Sequence, residues 1–170
     1  MKKFTCWILF LICLLFNFIY AAQEMPGNVL NVIADISGDG ILNVCETWEL
    51  KTTSDDFFER KIYIDKSKDE KVENVSIAAR YPNVSGEREF ELYSGDLKFG
   101  RYSVEQNEDC YFIRCGVDKF NSNVIYDISY NLNNNLIDYK DCVEMKWYLF
   151  KNATLTNVGL VLRRSNFSYF

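Results

Sequence analysis

The stretch NVLNVIADISGDGILNVCETWELKTT, residues 28 to 53, decides the fold. Both flanks alternate apolar and polar residues, and between them lies a glycine- and aspartate-rich loop. Val29, Leu30, Val32 and Ile33 mark the first flank, 28–34, while Trp48 and Leu50 share one face of the second, 47–53. Period-two patterning in β-branched and aromatic residues predicts strands. A helix-loop-helix calcium site would need helix formers on both sides, so the loop joins two strands.

The loop itself runs from Asp35 to Glu46 and names a ligand. Ca²⁺ is a hard cation that takes about six to eight oxygens, which a short loop supplies by folding back around the ion. Asp35, Ser37 and Asp39 offer side-chain oxygens from alternate residues, and Gly40 sits where the chain must turn sharply. Ile41 would lend its carbonyl, Asn43 would bind directly or through water, and Glu46 would close the far side with both carboxylate oxygens. The competing reading is a solvated turn, because Gly and Asp favour turns for backbone reasons alone. Such a turn has no use for the outlying Asp35 and Glu46.

Upstream, Met1-Lys2-Lys3 precedes an apolar run from Phe4 to Tyr20 and the small residues Ala21 and Ala22. This is the pattern of a signal peptide over residues 1–22, with retention as a membrane anchor as the alternative. Residues 23–170, about 150 of them, form a single domain large enough to bury a core. The whole chain carries a net charge of −5, and loss of Lys2 and Lys3 makes the exported part more acidic. Nucleic acid and anionic lipid surfaces are therefore poor partners, and no membrane association is expected after cleavage.

The leader holds Cys6 and Cys13, which leaves Cys45, Cys110, Cys115 and Cys142 in the exported part. An even number outside the cell predicts two disulfides, with three pairings open. A direct Cys110–Cys115 link is disfavoured, since on one continuous strand those residues face opposite sides. Sequons at Asn74, Asn83, Asn152 and Asn166 agree with an exported glycoprotein surface. The chain has no histidine, which removes the usual general base and the usual partner of a nucleophilic Ser or Cys. An enzyme is not expected.

Alternation continues downstream. Ile62 and Ile64 share a face, as do Val75, Ile77 and Ala79, then Phe90 and Leu92, then Tyr126, Ile128 and Tyr130, then Val143, Met145, Trp147 and Leu149. Turn-like clusters separate them at 54–56, 66–71, 82–86, 106–109 and 131–135. Regular punctuation of this kind predicts half-buried antiparallel strands in an all-β sandwich. Aromatic residues make up 16% of the chain, and most fall on core faces of alternating strands. Tyr93, Phe99, Tyr102, Tyr148 and Phe150 are the ones that alternation could turn outward, where aromatic faces stack on sugars.

The wording Asp-x-Ser-Gly-Asp-Gly-Ile-Leu-Asn-x-x-Glu-Thr-Trp-x-Leu at Asp35 to Leu50 resembles the opening of immunoglobulin-like β-sandwich modules of prokaryotic surface proteins. In those modules an Asn-Gly-Asp-Gly-x-Leu-x-Pro-Gly-Glu-Thr stretch joins the first two strands. Lys71 to Ile77 is similar to their third-strand wording. The resemblance implies an immunoglobulin-like antiparallel sandwich with a calcium loop, acting as a non-catalytic extracellular structural or adhesion module. Its expected partner is another surface protein or surface-layer component, with carbohydrate binding through exposed aromatics as the alternative. This chain departs from the pattern at Val44-Cys45, where the family carries Pro-Gly, and so loses an easy position for positive φ.

Overall fold

In the computed structural model, residues 29–50, 56–120, 123–138, 143–145, 147 and 158–164 are described. The leader, Cys142, Tyr148, Leu149, Phe150 and the sequons at Asn152 and Asn166 lie outside them. The described chain is almost entirely β, in twelve strands: β1 (Val29–Ile36), β2 (Leu42–Leu50), β3 (Phe57–Tyr63), β4 (Lys71–Arg80), β5 (Arg88–Glu89), β6 (Glu91–Leu92), β7 (Arg101–Gln106), β8 (Cys110–Gly116), β9 (Val124–Asn133), β10 (Leu136–Asp138), β11 (Val143–Met145) and β12 (Val158–Arg164). One 3₁₀ turn, Lys66–Lys68, lies between β3 and β4.

Six strands form one sheet in the order β12-β1-β2-β9-β4-β5, four form a second in the order β3-β8-β7-β6, and β10 pairs with β11. Most pairs are antiparallel, as expected for a sandwich. Two are parallel: β1 with β12 and β6 with β7. The sheets are therefore mixed rather than wholly antiparallel. Alternation reports which face is buried and carries no information on strand direction.

The sheets share one core. Trp48 and Phe58 meet across it with ring centroids 5.0 Å apart, and Tyr102 donates its hydroxyl to the Val75 carbonyl at 2.8 Å. Val32, Ala34, Leu42, Val44, Trp48 and Leu50 point inward from the first hairpin, with Tyr126, Ile128, Tyr130 and Leu132 from β9 beside them. Ile62 and Ile64 are both buried, as are Ile77 and Ala79. Val75 is only partly buried, because the β4–β9 register shifts between Glu73 and Ser76. Asn74 takes a left-handed φ of 53° at that bulge and leaves its side chain exposed.

The expected shared face of Phe90 and Leu92 is not formed: Phe90 is buried and Leu92 is 67% exposed. Between them the chain leaves one sheet for the other. The Phe90 amide donates to Ile77 on β4, whereas the Glu91 amide donates to Gly100 beside β7. The crossing is close-packed. A Cβ on Gly116 would sit 2.1 Å from the Lys98 carbonyl oxygen, so only glycine lets segment 98–99 pass over β8 there.

Candidate functional site

The β1–β2 hairpin tip holds the first candidate. Ile36 pairs with Leu42, leaving 37–41 as the loop, and Gly40 turns it with a φ of 82°. The Ser37 amide donates to the Ile41 carbonyl at 2.9 Å, and Ser37 Oγ lies 2.8 Å from the same oxygen while also contacting Asp39 Oδ1. That hydroxyl is the main reason the exposed Asp39 carboxyl is held below its ordinary pKa. Ser37, Asp39 and Ile41 thus bring three of the six expected oxygens together. Asp35 and Asn43 are cross-strand partners one rung below the loop's closing pair.

Glu46 is elsewhere. It lies on the inward face of β2, in register with Val32 and Ile128, and is 0% exposed. Arg60 Nε donates to Oε2 at 2.7 Å and Arg60 Nη2 to Oε1 at 2.8 Å. Trp48 Nε1 donates to Oε2 at 2.9 Å and the Tyr130 hydroxyl to Oε1 at 2.7 Å. With four donors on two oxygens, the carboxylate is satisfied inside the protein and does not close the loop. Strand geometry separates it from the other donors: β2 begins at Leu42 rather than Thr47, and on a strand an even-numbered residue faces away from Asn43. Among the described residues no three Asp, Glu, Cys or His side chains gather as a metal-binding group. The tip therefore fits a cation only through one carboxylate, a hydroxyl and a carbonyl.

The cysteines depart from expectation as well. Cys45, Cys110 and Cys115 carry free thiols. Cys45 is on the outward face of the six-stranded sheet, whereas Cys115 points into the core from the other sheet. Cys110 and Cys115 take opposite faces of β8, as their spacing predicts. Burial pushes the Cys115 thiol pKa well up and raises that of Cys110.

The outward face of the four-stranded sheet is the third candidate. There the Arg114 guanidinium bonds Glu59 at 2.6 Å and Glu105 at 2.9 Å, and lies 5.8 Å from the Phe57 ring centroid and 5.5 Å from that of Phe112. Arg101 lies 4.1 Å from the Tyr93 ring centroid. An open groove of about 920 Å³ runs over this face, lined by Phe57, Leu92, Tyr93, Leu97, Val104 and Arg114 among others. Of the aromatics that alternation could turn outward, Tyr93 is 42% exposed, Phe99 is half-buried against Phe90 and Tyr126, and Tyr102 is buried. Phe57 is exposed to the same degree as Tyr93, and its place two residues from Glu59, on a strand with Arg60 and Ile62 inward, is the signal in the sequence that assigns it to the outer face.

Comparisons with protein-family models, with curated proteins and with solved structures returned no significant match. The site must be read from its geometry. At the end of the sheets away from the hairpin tip, the loop after β8 carries Phe120, which is 96% exposed, and the turn after β4 carries exposed Val84. Asp118 holds the first of these loops in shape, accepting the Phe120 amide at 2.9 Å and the Tyr81 hydroxyl.

Proposed function

We propose that this chain is an exported, non-catalytic adhesion module with an immunoglobulin-like sandwich, and that it contacts another surface protein through the outward face of its four-stranded sheet. The observation that carries the reading is the arginine-backed aromatic face around the groove, Arg101 on Tyr93 and Arg114 against Phe57. Aromatic residues and arginine dominate the energetics of protein contacts, and their charges here are pre-ordered, which lowers the cost of binding. The absence of histidine and the closure of Glu46 inside the core support a non-catalytic role. A glycan would require a bare ring face. Tyr93 has Arg101 on its ring and the Gly95 backbone against its edge, where a Cβ would come 2.7 Å from the ring, so a protein is the better fit.

Calcium enters this reading in reduced form, as a hydrated ion held at the hairpin tip by Asp39, Ser37 and the Ile41 carbonyl, with Asp35 and Asn43 reaching it through water. Glu46 takes no part. Such an ion would stiffen the tip and stabilise the domain by mass action.

Adhesion of the purified domain to cells of its source tests the function. Binding should be abolished by protease treatment of the cells, survive periodate oxidation of their glycans, and fall in a Phe57→Ser/Tyr93→Ser variant whose melting temperature is retained. Loss after periodate with survival after protease would instead support the carbohydrate alternative.

A further inference from the structure

Among the described residues four strands lie at the margins of the two large sheets, and three of them are blunted. β5 and β6 are two residues long, and β3 carries Glu59, Arg60 and Lys61 in succession, with Arg60 turned inward. Very short edges, charges on the edge and inward-pointing charged residues are the means by which sheets avoid pairing with other chains. The fourth, β12, has none of these over its first five residues. Val158-Gly159-Leu160-Val161-Leu162 runs without a charge or a proline, keeps an unbroken register with β1, and meets its first charge at Arg163.

β12 is also bare on both faces. Leu160 and Leu162 stand in register with Val32 and Ala34, which are fully buried, so they face the core side, while Val161 stands in register with Ile33 and faces the other way. Val158, Leu160, Val161 and Leu162 are nonetheless each 47–55% exposed. The core therefore stops at β1. Beyond it β12 carries aliphatic side chains above and below, and a row of backbone N–H and C=O groups that turns away from its one partner among the described residues. Single exposed aliphatics are ordinary, but four on one marginal strand make a contact surface.

We infer that this edge pairs with the same strand of a second copy of the chain, antiparallel about a two-fold axis through Val161. In that register Val161 meets Val161, Leu160 meets Leu162, Gly159 meets Arg163 and Val158 meets Arg164, which uses all seven residues of the strand. Aliphatic faces aliphatic at the centre. The arginines of the two copies fall at opposite ends, where their stems lie along Gly159 and Val158. Parallel pairing would set Arg163 against Arg163, and like charges directly opposite are destabilising. A strand from another protein would need an apolar centre and no cation facing Arg163 or Arg164, and the chain's own strand already meets both conditions. One patch serving both partners is what a two-fold dimer requires. None of these residues lies in the four-stranded sheet, so the inference does not depend on the adhesive reading.

The test is sedimentation velocity of the full exported domain over about a hundredfold range of concentration, because association between copies follows mass action. The parent should pass from monomer to dimer. Val161→Lys, which sets two ammonium groups against each other on the axis, should stay monomeric throughout, with the melting temperature of the parent in dilute solution. Crosslinking under an oxidant, in a Cys45→Ser background that gives no link by itself, reads the orientation. With Val161→Cys the two new thiols face each other at a Cα separation of about 4.5–5.5 Å, within disulfide range, and should join the copies. With Val158→Cys they lie about 20 Å apart and should not. A parent that stays monomeric at every concentration overturns the inference and leaves the edge to a strand of another protein. A dimer that survives Val161→Lys or fails to link through Val161→Cys overturns it as well, because the interface then lies elsewhere, and linkage through Val158→Cys overturns it because the strands then run parallel.

Discussion

Arg60 meets Glu46 edge to edge across the core, one from each sheet, with both carboxylate oxygens within 2.8 Å of guanidinium nitrogens and both residues no more than 1% exposed. Trp48 and Tyr130 take the remaining lone pairs, and Arg60 Nη1 donates to the Lys61 carbonyl. Each polar group is answered, which is the condition under which a buried pair is tolerated. Desolvation alone would push the Arg60 pKa down; Glu46 reverses it and holds the guanidinium charged.

Removing one member strands the other. Glu46→Ala or Arg60→Ala should each lower stability by about 3–5 kcal/mol, and Glu46→Leu/Arg60→Met should recover most of the loss by replacing the pair with apolar volume. Urea unfolding of the three variants checks this. A double variant as weak as the singles would mean that the pair specifies the docking of the sheets rather than merely satisfying itself.

Calcium should act at the tip and nowhere near Glu46. The melting temperature of the domain is expected to rise across a calcium titration and fall back with chelator, and Asp39→Ala should abolish the response. Glu46→Gln should lower the melting temperature at every calcium level while leaving the increment intact. If Asp39→Ala responds as fully as the parent, the tip is only a turn.

Alkaline pH should unfold the chain steeply. Burial raises the pKa of Tyr102, Tyr126 and Tyr130 above the ordinary value near 10. Their folded-state protons are retained where the unfolded chain loses them. Stability is thus fully present below pH 10 and declines above it, with each fully buried tyrosine contributing a slope of about 1.4 kcal/mol per pH unit until its folded pKa is reached. Tyrosinate absorbance followed beside circular dichroism reads this directly: the buried fraction should appear only together with unfolding.

Thiol labelling should separate the cysteines by depth. Without reductant, the native domain is expected to label at Cys45 first, with Cys115 reacting only in denaturant because its thiol is buried and its pKa raised. Mass spectrometry of the digested protein assigns the sites. Denatured, unreduced protein that labels at none of the three would contradict the free thiols.

Much of the fold is legible in single residues. Trp48 and Leu50, Ile62 and Ile64, and Tyr126 to Tyr130 carry their burial in period-two spacing, because a strand has only two faces. Glu46 was not legible as a core residue, since a carboxylate at a calcium-like spacing is read as a ligand unless its counter-charge is seen. Arg60 supplies that charge from another strand, and nothing in local sequence pairs the two. Its parity with Trp48 was the available clue, hidden by starting the strand at Thr47 instead of Leu42. Phe90 and Leu92 failed for a different reason: alternation assumes one sheet, and the chain changes sheets between them. Strand direction was never encoded, so the parallel partner of β1 emerged only in three dimensions.

That parallel partner has a kinetic consequence. β1 lies between β2, which follows it by a five-residue loop, and β12, whose first paired residue, Val158, stands opposite Leu30. One side of β1 closes almost at once, while the other waits for nearly the whole intervening chain and a costly loop closure. A molecule synthesised amino end first would spend its elongation with the first strand open along one margin. During that interval the bare margin is available to any extended segment that arrives sooner, so the rate at which residues 158–164 become available, as much as the final contacts, governs how many copies fold correctly.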